Sequence, residues 1–342
     1  MAESVADTPG IVLINLGSPD SPSVRDVRRY LSEFLSDPLV IDLPAILRWL
    51  LLHGIILRFR PQKSAHAYQS IWTDRGSPLV FHTADLADAL QRRAGSEAVV
   101  RYAMRYGSPS VKSVCEALRK EGIYRIHFVP LYPQFAAATT ATVMADVLQE
   151  VMRNPWRPLF PSIEPPFYDA YGFVELWARR VRRLSTDTHV LFSFHGLPVR
   201  QIRRSGDSLC MQKGCCERKA PLHCYRAQCM HSASAVARAA RLKPENWSVA
   251  FQSRLGRDEW LTPSTEDLIR EQAAKNRPLA IVPLSFVADC LETLEELAIR
   301  GEAIYREAGG RAAFTVLPSL NADEDWVDFL FNRLKKRVNA LL

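Results

Sequence analysis

The sequence predicts an α/β protein made of two similar doubly wound lobes with parallel sheets. Three observations carry that reading. Short β-rich runs alternate with longer helical patterns, the rhythm of strand–helix–strand units. The 342 residues are enough for roughly two ordinary domains. The two halves also echo one another in order: IVLINLGSPDS with HVLFSFHGLPV, YAMRYGSPS with VAFQSRLGRDE, and HFVPLYPQ with AIVPLSFV. Each echo is a strand running into a Gly- or Pro-containing junction, and three in the same order favour two lobes over one large sheet. Ligands of such folds sit at the carboxyl ends of the strands, so both lobes are expected to turn those ends to a common cleft.

The first lobe spans residues 8–165, with strands at Ile11–Leu16, Val99–Met104 and Arg125–Leu131. The second spans 186–318, with strands at His189–Phe194, Trp247–Phe251, Leu279–Leu284 and Ala313–Leu317. Helical periodicity covers Val24–Leu35, Ser110–Lys120 and Thr293–Ala308. Ser162–Ser185 reads as the crossing between lobes, and a final helix at Asp323–Leu342 is free to pack on either. Two inserts break the rhythm: an apolar lip at 39–60 and a cysteine segment at 210–229.

Composition excludes several classes. With 47% apolar and 24% charged residues the chain is neither disordered, collagenous nor fibrous. The net charge of +7 is a mild excess without a long basic run or a nucleic-acid module. It points to an acidic ligand or an anionic membrane surface rather than to nucleic acid. The opening MAESVADTPG has no basic and apolar signal pattern, and no apolar run is long enough to span a bilayer. Five of the seven cysteines fall between Cys210 and Cys229, unlike a secreted disulfide scaffold. The expected setting is a reducing cytoplasm.

Chemistry-bearing residues gather at the strand ends. His195 follows strand His189–Phe194 and opens the turn His-Gly-Leu-Pro, where an imidazole titrating near neutrality is well placed for proton transfer. A turn histidine bonded to backbone is the plainer alternative. After strand Leu279–Leu284, Glu292 and Glu296 stand four apart on one helical face, a repulsion tolerable for binding a cation. Asp289-x-x-Glu292 equally fits a capping box, with Arg300 neutralising the pair. The tract from Tyr132 to Thr140 places small residues before a helix, as anion binding or plain helix initiation requires. Leu39–Phe59 is apolar but interrupted by Asp42, Pro44, Arg48, His53 and Arg58. It reads as a lip for an apolar ligand, as an interfacial segment, or as a buried helix pair.

The segment Cys210-x4-Cys215-Cys216-x7-Cys224-x4-Cys229 is too dense in thiols for core packing. Structural zinc favours tighter spacings, whereas a [2Fe–2S] cluster accepts x4 and four thiolates. The cluster is the favoured reading, with Cys215 or Cys216 left over.

Taken together, LINLGSPD, YQSIWTDRGSPL, MRYGSPS, LYPQF, LFSFHGLP, FQSRLGRDEWLTPSTED and FVADCLETLEEL resemble ferrochelatase over nearly the whole chain, and most closely its proteobacterial branch. The resemblance implies a chelatase-type fold and insertion of Fe2+ into a porphyrin, protoporphyrin IX by preference, with release of two protons. It implies His195 as proton acceptor and Glu292 in metal delivery or proton relay, with Asp289 and Glu296 beside it. It implies an apolar clamp of Leu16, Tyr68, Ile71, Tyr132, Trp260 and Phe286 that bends the ring. Arg105, Tyr106 and Ser77 match positions that line the pocket near the propionates. The sequence departs from many family members at Cys290, where they carry His, and at Arg300, where some carry an acid. The C-terminal cysteines of the animal enzymes are missing, and the internal cysteine segment resembles that of some bacterial members. Membrane contact would be peripheral, through 39–59, at the inner face of the membrane. Two alternatives are a chelatase for another metal and tetrapyrrole, and a non-catalytic haem- or metallophore-binding protein of two α/β lobes.

Overall fold

The computed structural model describes residues 8–206, 210–212, 214–217, 223–254 and 258–338. The opening heptapeptide, parts of the cysteine segment, the centre of FQSRLGRDEW and residues 339–342 lie outside them. The chain divides into two compact units, one of residues 8–131, 137–165 and 321–338, the other of 132–136 and 166–320.

The first unit contains β1 (Gly10–Ser18), α1 (Val24–Ser36), α2 (Ala45–Leu51), α3 (Leu57–Ile71), α4 (Pro78–Ala94), β2 (Val99–Gly107), α5 (Val111–Lys120), β3 (Arg125–Pro130), α6 (Thr142–Arg153) and β4 (Phe160–Ile163). Its four strands form a parallel sheet in the order β2-β1-β3-β4. The second unit contains α7 (Tyr171–Val181), β5 (His189–His195), α8 (Val199–Ser205), α9 (Tyr225–Ala239), β6 (Trp247–Gln252), α10 (Thr265–Ala274), β7 (Leu279–Pro283), α11 (Gly301–Glu307) and β8 (Phe314–Val316). Its sheet is also parallel, in the order β6-β5-β7-β8. The two units therefore share one topology, and in each the strand order reverses between the first and third strands. Ligands of open α/β sheets bind beyond the carboxyl ends of the strands at that reversal.

Local chemistry explains the elements. The central strands are continuous apolar runs because both faces of a parallel sheet are covered by helices, and Val12, Leu13, Ile14, Leu191, Phe192 and Ile281 are fully buried. The repeated Ser-Pro-Ser and Thr-Pro-Ser tripeptides supply helix caps. Ser23, Ser110 and Ser264 each accept a hydrogen bond from the first turn of α1, α5 and α10.

Three segments can be set against expectation. The segment Ser162–Ser185 holds the change from the first unit to the second, after Pro165, and also contains the end of edge strand β4 and all of α7. A four-residue strand ahead of a proline-rich stretch leaves little period-2 signal. The helix expected at Thr293–Ala308 is a π-helix over Glu292–Arg300 that continues as α11. The lip comprises α2, a short π-helical stretch at Leu52–Ile56 and α3, and leaves Ile46, Leu47, Trp49, Leu50, Ile55 and Phe59 exposed. Among the described residues no helix is long and apolar enough to cross a membrane.

The final helix, α12 (Glu324–Val338), belongs to the first unit, where it buries Trp326, Leu330 and Leu334. A buried ionic cluster fixes it. Glu164 is hydrogen-bonded by Arg333 Nε at 2.6 Å and meets His127 Nε2 at 3.0 Å, while His127 Nδ1 meets Ser162 Oγ at 2.7 Å. Burial alone would raise the Glu164 pKa, but the His127 hydrogen bond and the Arg333 charge outweigh it and hold the carboxyl below its ordinary value of 4.5. A depressed carboxylate contributes stability that is present above its unfolded pKa and is lost as the pH falls through the folded one. Glu164→Ala is expected to cost about 3 kcal/mol by leaving Arg333 without its partner. Urea unfolding between about pH 6 and pH 3 should show that difference shrinking toward the acid end.

Candidate active site

His195 is the last residue of β5, beside Gln252 at the end of β6. Its Nδ1 lies 2.7 Å from the carbonyl oxygen of Gly196. A carbonyl only accepts, so Nδ1 carries the proton and Nε2 is left with its lone pair. The turn that creates this geometry requires glycine: a Cβ on Gly196 would stand 2.6 Å from the Gln252 carbonyl oxygen. The Gly196 amide donates to that same oxygen at 2.8 Å. The edge of Trp260 closes on the turn from the other side, 3.4 Å from the same Cβ position. The backbone of His195 is anchored as well, with its N–H 3.4 Å from Ser285 Oγ and its C=O accepting from the Tyr225 hydroxyl at 2.8 Å.

Glu292 begins the π-helix that follows β7. The capping box expected between Asp289 and Glu292 does not form. The Asp289 carboxylate accepts instead from the Thr293 hydroxyl and the Ser319 amide, each at 3.0 Å. Thr293 Oγ1 in turn accepts from the Cys290 amide at 3.0 Å. Thr293 therefore does the capping, because its short side chain reaches back without leaving the helix start. Asp289 is buried where it accepts these bonds. Glu292 takes no part in that capping, and its charge acts on the neighbouring Cys290 thiol. Burial, then the Glu292 charge, pushes the Cys290 pKa well up, so it remains a thiol.

Glu296 has a different position. It accepts from Gln252 Nε2 at 3.0 Å and from the Ser253 hydroxyl, and pairs with Arg300 at 2.9 Å. Ser253 holds a left-handed backbone (φ 63°) in doing so. The two glutamates differ accordingly: Glu296 is clamped by three donors and Glu292 is not. Gln252 joins the elements, taking the Gly196 amide on its carbonyl and sending its side-chain amide to the Glu292 carbonyl at 3.3 Å. His195 and Glu292 thus sit to either side of one residue, at the strand reversal between β5 and β7.

Tyr132 and Phe286 also belong to this unit, Tyr132 buried after β3 and Phe286 half-buried in the loop after β7. Gln134 fixes the Tyr132 segment by donating to the Leu284 carbonyl at 3.2 Å.

In the first unit, Leu16 is half-buried near the end of β1, while Tyr68 and Ile71 are largely buried on α3. Tyr30 of α1 links them: its hydroxyl donates to the Gly17 carbonyl at 3.1 Å, and its ring meets Tyr68 edge-on at 6.5 Å. Ser77 caps α4 by position, without a side-chain bond to the helix. Arg105 and Tyr106, expected near propionates, face an internal acid. Asp37 accepts from Arg105 at 2.7 Å and from the Tyr106 hydroxyl at 3.0 Å. Arg105 also donates to the Thr142 carbonyl at 3.1 Å and lies 3.6 Å from Asp146. Asp37 was not anticipated, since nothing in a helix-ending Ser-Asp-Pro announces a partner sixty-eight residues away.

The five cysteines are not assembled into one ligand set. Cys215 and Cys216 have their sulfurs 3.7 Å apart, beside Arg226 Nη1, and Cys224 packs against Cys216. Cys229 is buried within α9, whereas Cys210 turns away to the Ile202 carbonyl at 3.7 Å. Among the described residues no three His, Cys, Asp or Glu side chains are gathered as metal ligands. Burial raises the pKa of Cys216 and Cys229, keeping them thiols rather than thiolates. Sequence spacing counts thiols but not their directions.

Comparison with known proteins decides the family. The ferrochelatase family model matches residues 8–338. The chain belongs to the ferrochelatase family. A ferrochelatase of Ectopseudomonas mendocina is 44% identical, covering 93% of this chain and 94% of that one. One of Coxiella burnetii is 38% identical, covering 96% and 93%. Among solved structures, the sirohydrochlorin chelatase SirB of Bacillus subtilis subspecies spizizenii superposes with a TM-score of 0.53 at 12% identity, covering 97% of this chain and 96% of that one. That likeness concerns the chelatase fold alone.

Asp146 supplies a test of the first unit. Burial raises its pKa despite the opposing charge of Arg105. A carboxyl with a raised folded pKa costs stability once the pH exceeds its unfolded value. Asp146→Asn is therefore expected to raise the melting temperature near pH 7, with the gain vanishing below about pH 4. A melting series across that range checks it.

Proposed function

We infer that the chain inserts Fe2+ into a porphyrin, with His195 as proton acceptor and Glu292 in metal delivery or proton relay. The observation that carries the assignment of roles is the hydrogen bond from His195 Nδ1 to the Gly196 carbonyl, which leaves Nε2 as a neutral base. Metal insertion removes two protons from the porphyrin nitrogens, and an imidazole nitrogen with a free lone pair can accept one. Fe2+ is borderline in softness and accepts carboxylate and imidazole ligands. Glu292 fits that need because Thr293 has relieved it of capping, while Glu296 is committed to Arg300, Ser253 and Gln252.

The remaining residues bind. Leu16, Tyr68 and Ile71 offer the macrocycle an apolar surface in the first unit, and Tyr132, Trp260 and Phe286 do so in the second. Ser77, Arg105 and Tyr106 address the propionates, Arg105 and Tyr106 in competition with Asp37. Protoporphyrin IX is the preferred substrate. The protein works in the cytoplasm, at the inner face of the membrane, through the exposed side chains of the lip, among which Trp49 is 59% and Phe59 76% accessible. Aromatic and aliphatic groups flanked by arginines suit an anionic lipid surface.

The finer reading of the cysteine segment is a [2Fe–2S] cluster on four of Cys210, Cys215, Cys216, Cys224 and Cys229. Supporting it are five thiols within twenty residues and the grouping of Cys215 and Cys216 near Cys224 and the Arg226 cation.

Under anaerobic conditions the purified protein should convert Fe2+ and protoporphyrin to haem. His195→Ala and Glu292→Gln should each lower turnover by about 100-fold or more while leaving the melting temperature within a few degrees. Normal turnover in either variant would remove that residue from the mechanism. As isolated, the protein should be reddish-brown, with visible absorbance lost in Cys224→Ser; a colourless protein with stoichiometric zinc would exclude the cluster.

A further inference from the structure

We propose that Tyr225 is a positioning residue for His195, and that the cysteine-bearing helix acts on turnover through the Tyr225 hydroxyl. The proposal rests on the reading of His195 as proton acceptor.

A closed circuit of hydroxyls holds the backbone of His195. Its N–H points to Ser285 Oγ, 3.4 Å away. Ser285 Oγ lies 3.1 Å from the Tyr225 hydroxyl, and that hydroxyl donates to the His195 carbonyl at 2.8 Å. Only one arrangement of protons satisfies it. The carbonyl takes the tyrosine proton, so the serine must donate to the tyrosine oxygen and receive the His195 amide. Each bond polarises the next, and in a buried setting such a chain resists partial opening. Tyr225 is only 6% exposed, so water cannot readily replace either partner.

Tyr225 also belongs to the cysteine segment. It is the first residue of α9, directly after Cys224, and the buried Cys229 follows one turn later. Cys224 packs against Cys216, whose carbonyl meets His231 Nε2 at 3.0 Å. Farther along, α9 is pinned by Gln228, which accepts from the Phe135 amide at 2.8 Å, and by Ser232, which donates to the Tyr168 carbonyl at 2.9 Å. The helix is thereby pinned from its fourth residue onward, and Tyr225 at its start adjoins Cys224. Whatever holds Cys216 and Cys224 together holds the tyrosine that holds His195. A base displaced by a fraction of an ångström loses much of its rate, so support of this kind has kinetic consequences.

A double-mutant cycle on the full-length protein tests it. Tyr225→Phe keeps ring and volume and removes only the hydroxyl. It should lower kcat about tenfold, with KM for porphyrin and the melting temperature unchanged. In the protein without substrates, amide hydrogen exchange in the peptide spanning His195 and Gly196 should quicken. Cys224→Ser should lower kcat and quicken the same exchange in the wild-type background, yet add little in the Tyr225→Phe background. Additive losses, or wild-type kcat and exchange in Tyr225→Phe, would overturn the proposal. If Tyr225→Phe does not fold, Ser285→Ala opens the same circuit from the other side and is judged by the same readouts. His195→Ala run alongside separates the two levels: full turnover there removes the proton-acceptor reading itself, whatever the cycle shows.

Discussion

The active site depends on one hydrogen bond, from the Nδ1–H of His195 to the neighbouring Gly196 carbonyl. An imidazole is useful as a base only when one nitrogen is relieved of its proton, and a partner that can only accept secures this. The bond exists because the turn after β5 folds tightly enough to bring residue 196's oxygen back under the ring. That tightness requires a glycine against the Gln252 carbonyl. The sheet, the turn and the tautomer form a single chain of cause, and the backbone anchors at Ser285 and Tyr225 secure its last link.

The second element is the division of labour between two glutamates that a sequence presents as equals. A π-helix starts at Glu292, and its widened turn lets Gln252 and Ser253 reach Glu296 while Arg300 neutralises it. Three donors on one carboxylate hold it in a fixed structural position. Glu292 has the Cys290 thiol nearby, which burial and the Glu292 charge keep protonated. Ser253 is left-handed at the same place, where local strain accompanies function more often than elsewhere.

The first unit repeats the topology without repeating the chemistry. At its strand ends stand aromatic and apolar groups together with an Arg105–Asp37–Tyr106 cluster that also fixes the root of the lip, since Asp37 accepts the Leu39 amide at 2.8 Å. Beyond that root the chain exposes a run of large apolar side chains that a water-facing helix pair would bury. One topology thus carries different side chains at its strand ends in the two units.

Sequence alone determined what depends on short range and on pattern. Apolar runs marked seven of the eight strands among the described residues, and the ordered repeats marked two lobes of one topology. That His195 closes a strand and that Glu292 opens the helix following another was legible, because the carboxyl edge of a parallel sheet is set by where its strands stop. Tertiary structure decided what depends on direction. Whether Asp289 caps Glu292 or Thr293 does, whether Arg105 meets a ligand or Asp37, and whether five thiols converge are questions of where side chains point. The π-helix was illegible for the same reason, since its hydrogen bonds to Gln252 and Ser253 come from a different strand. Periodicity records which face of an element is buried; only packing determines which partner each polar group finds there.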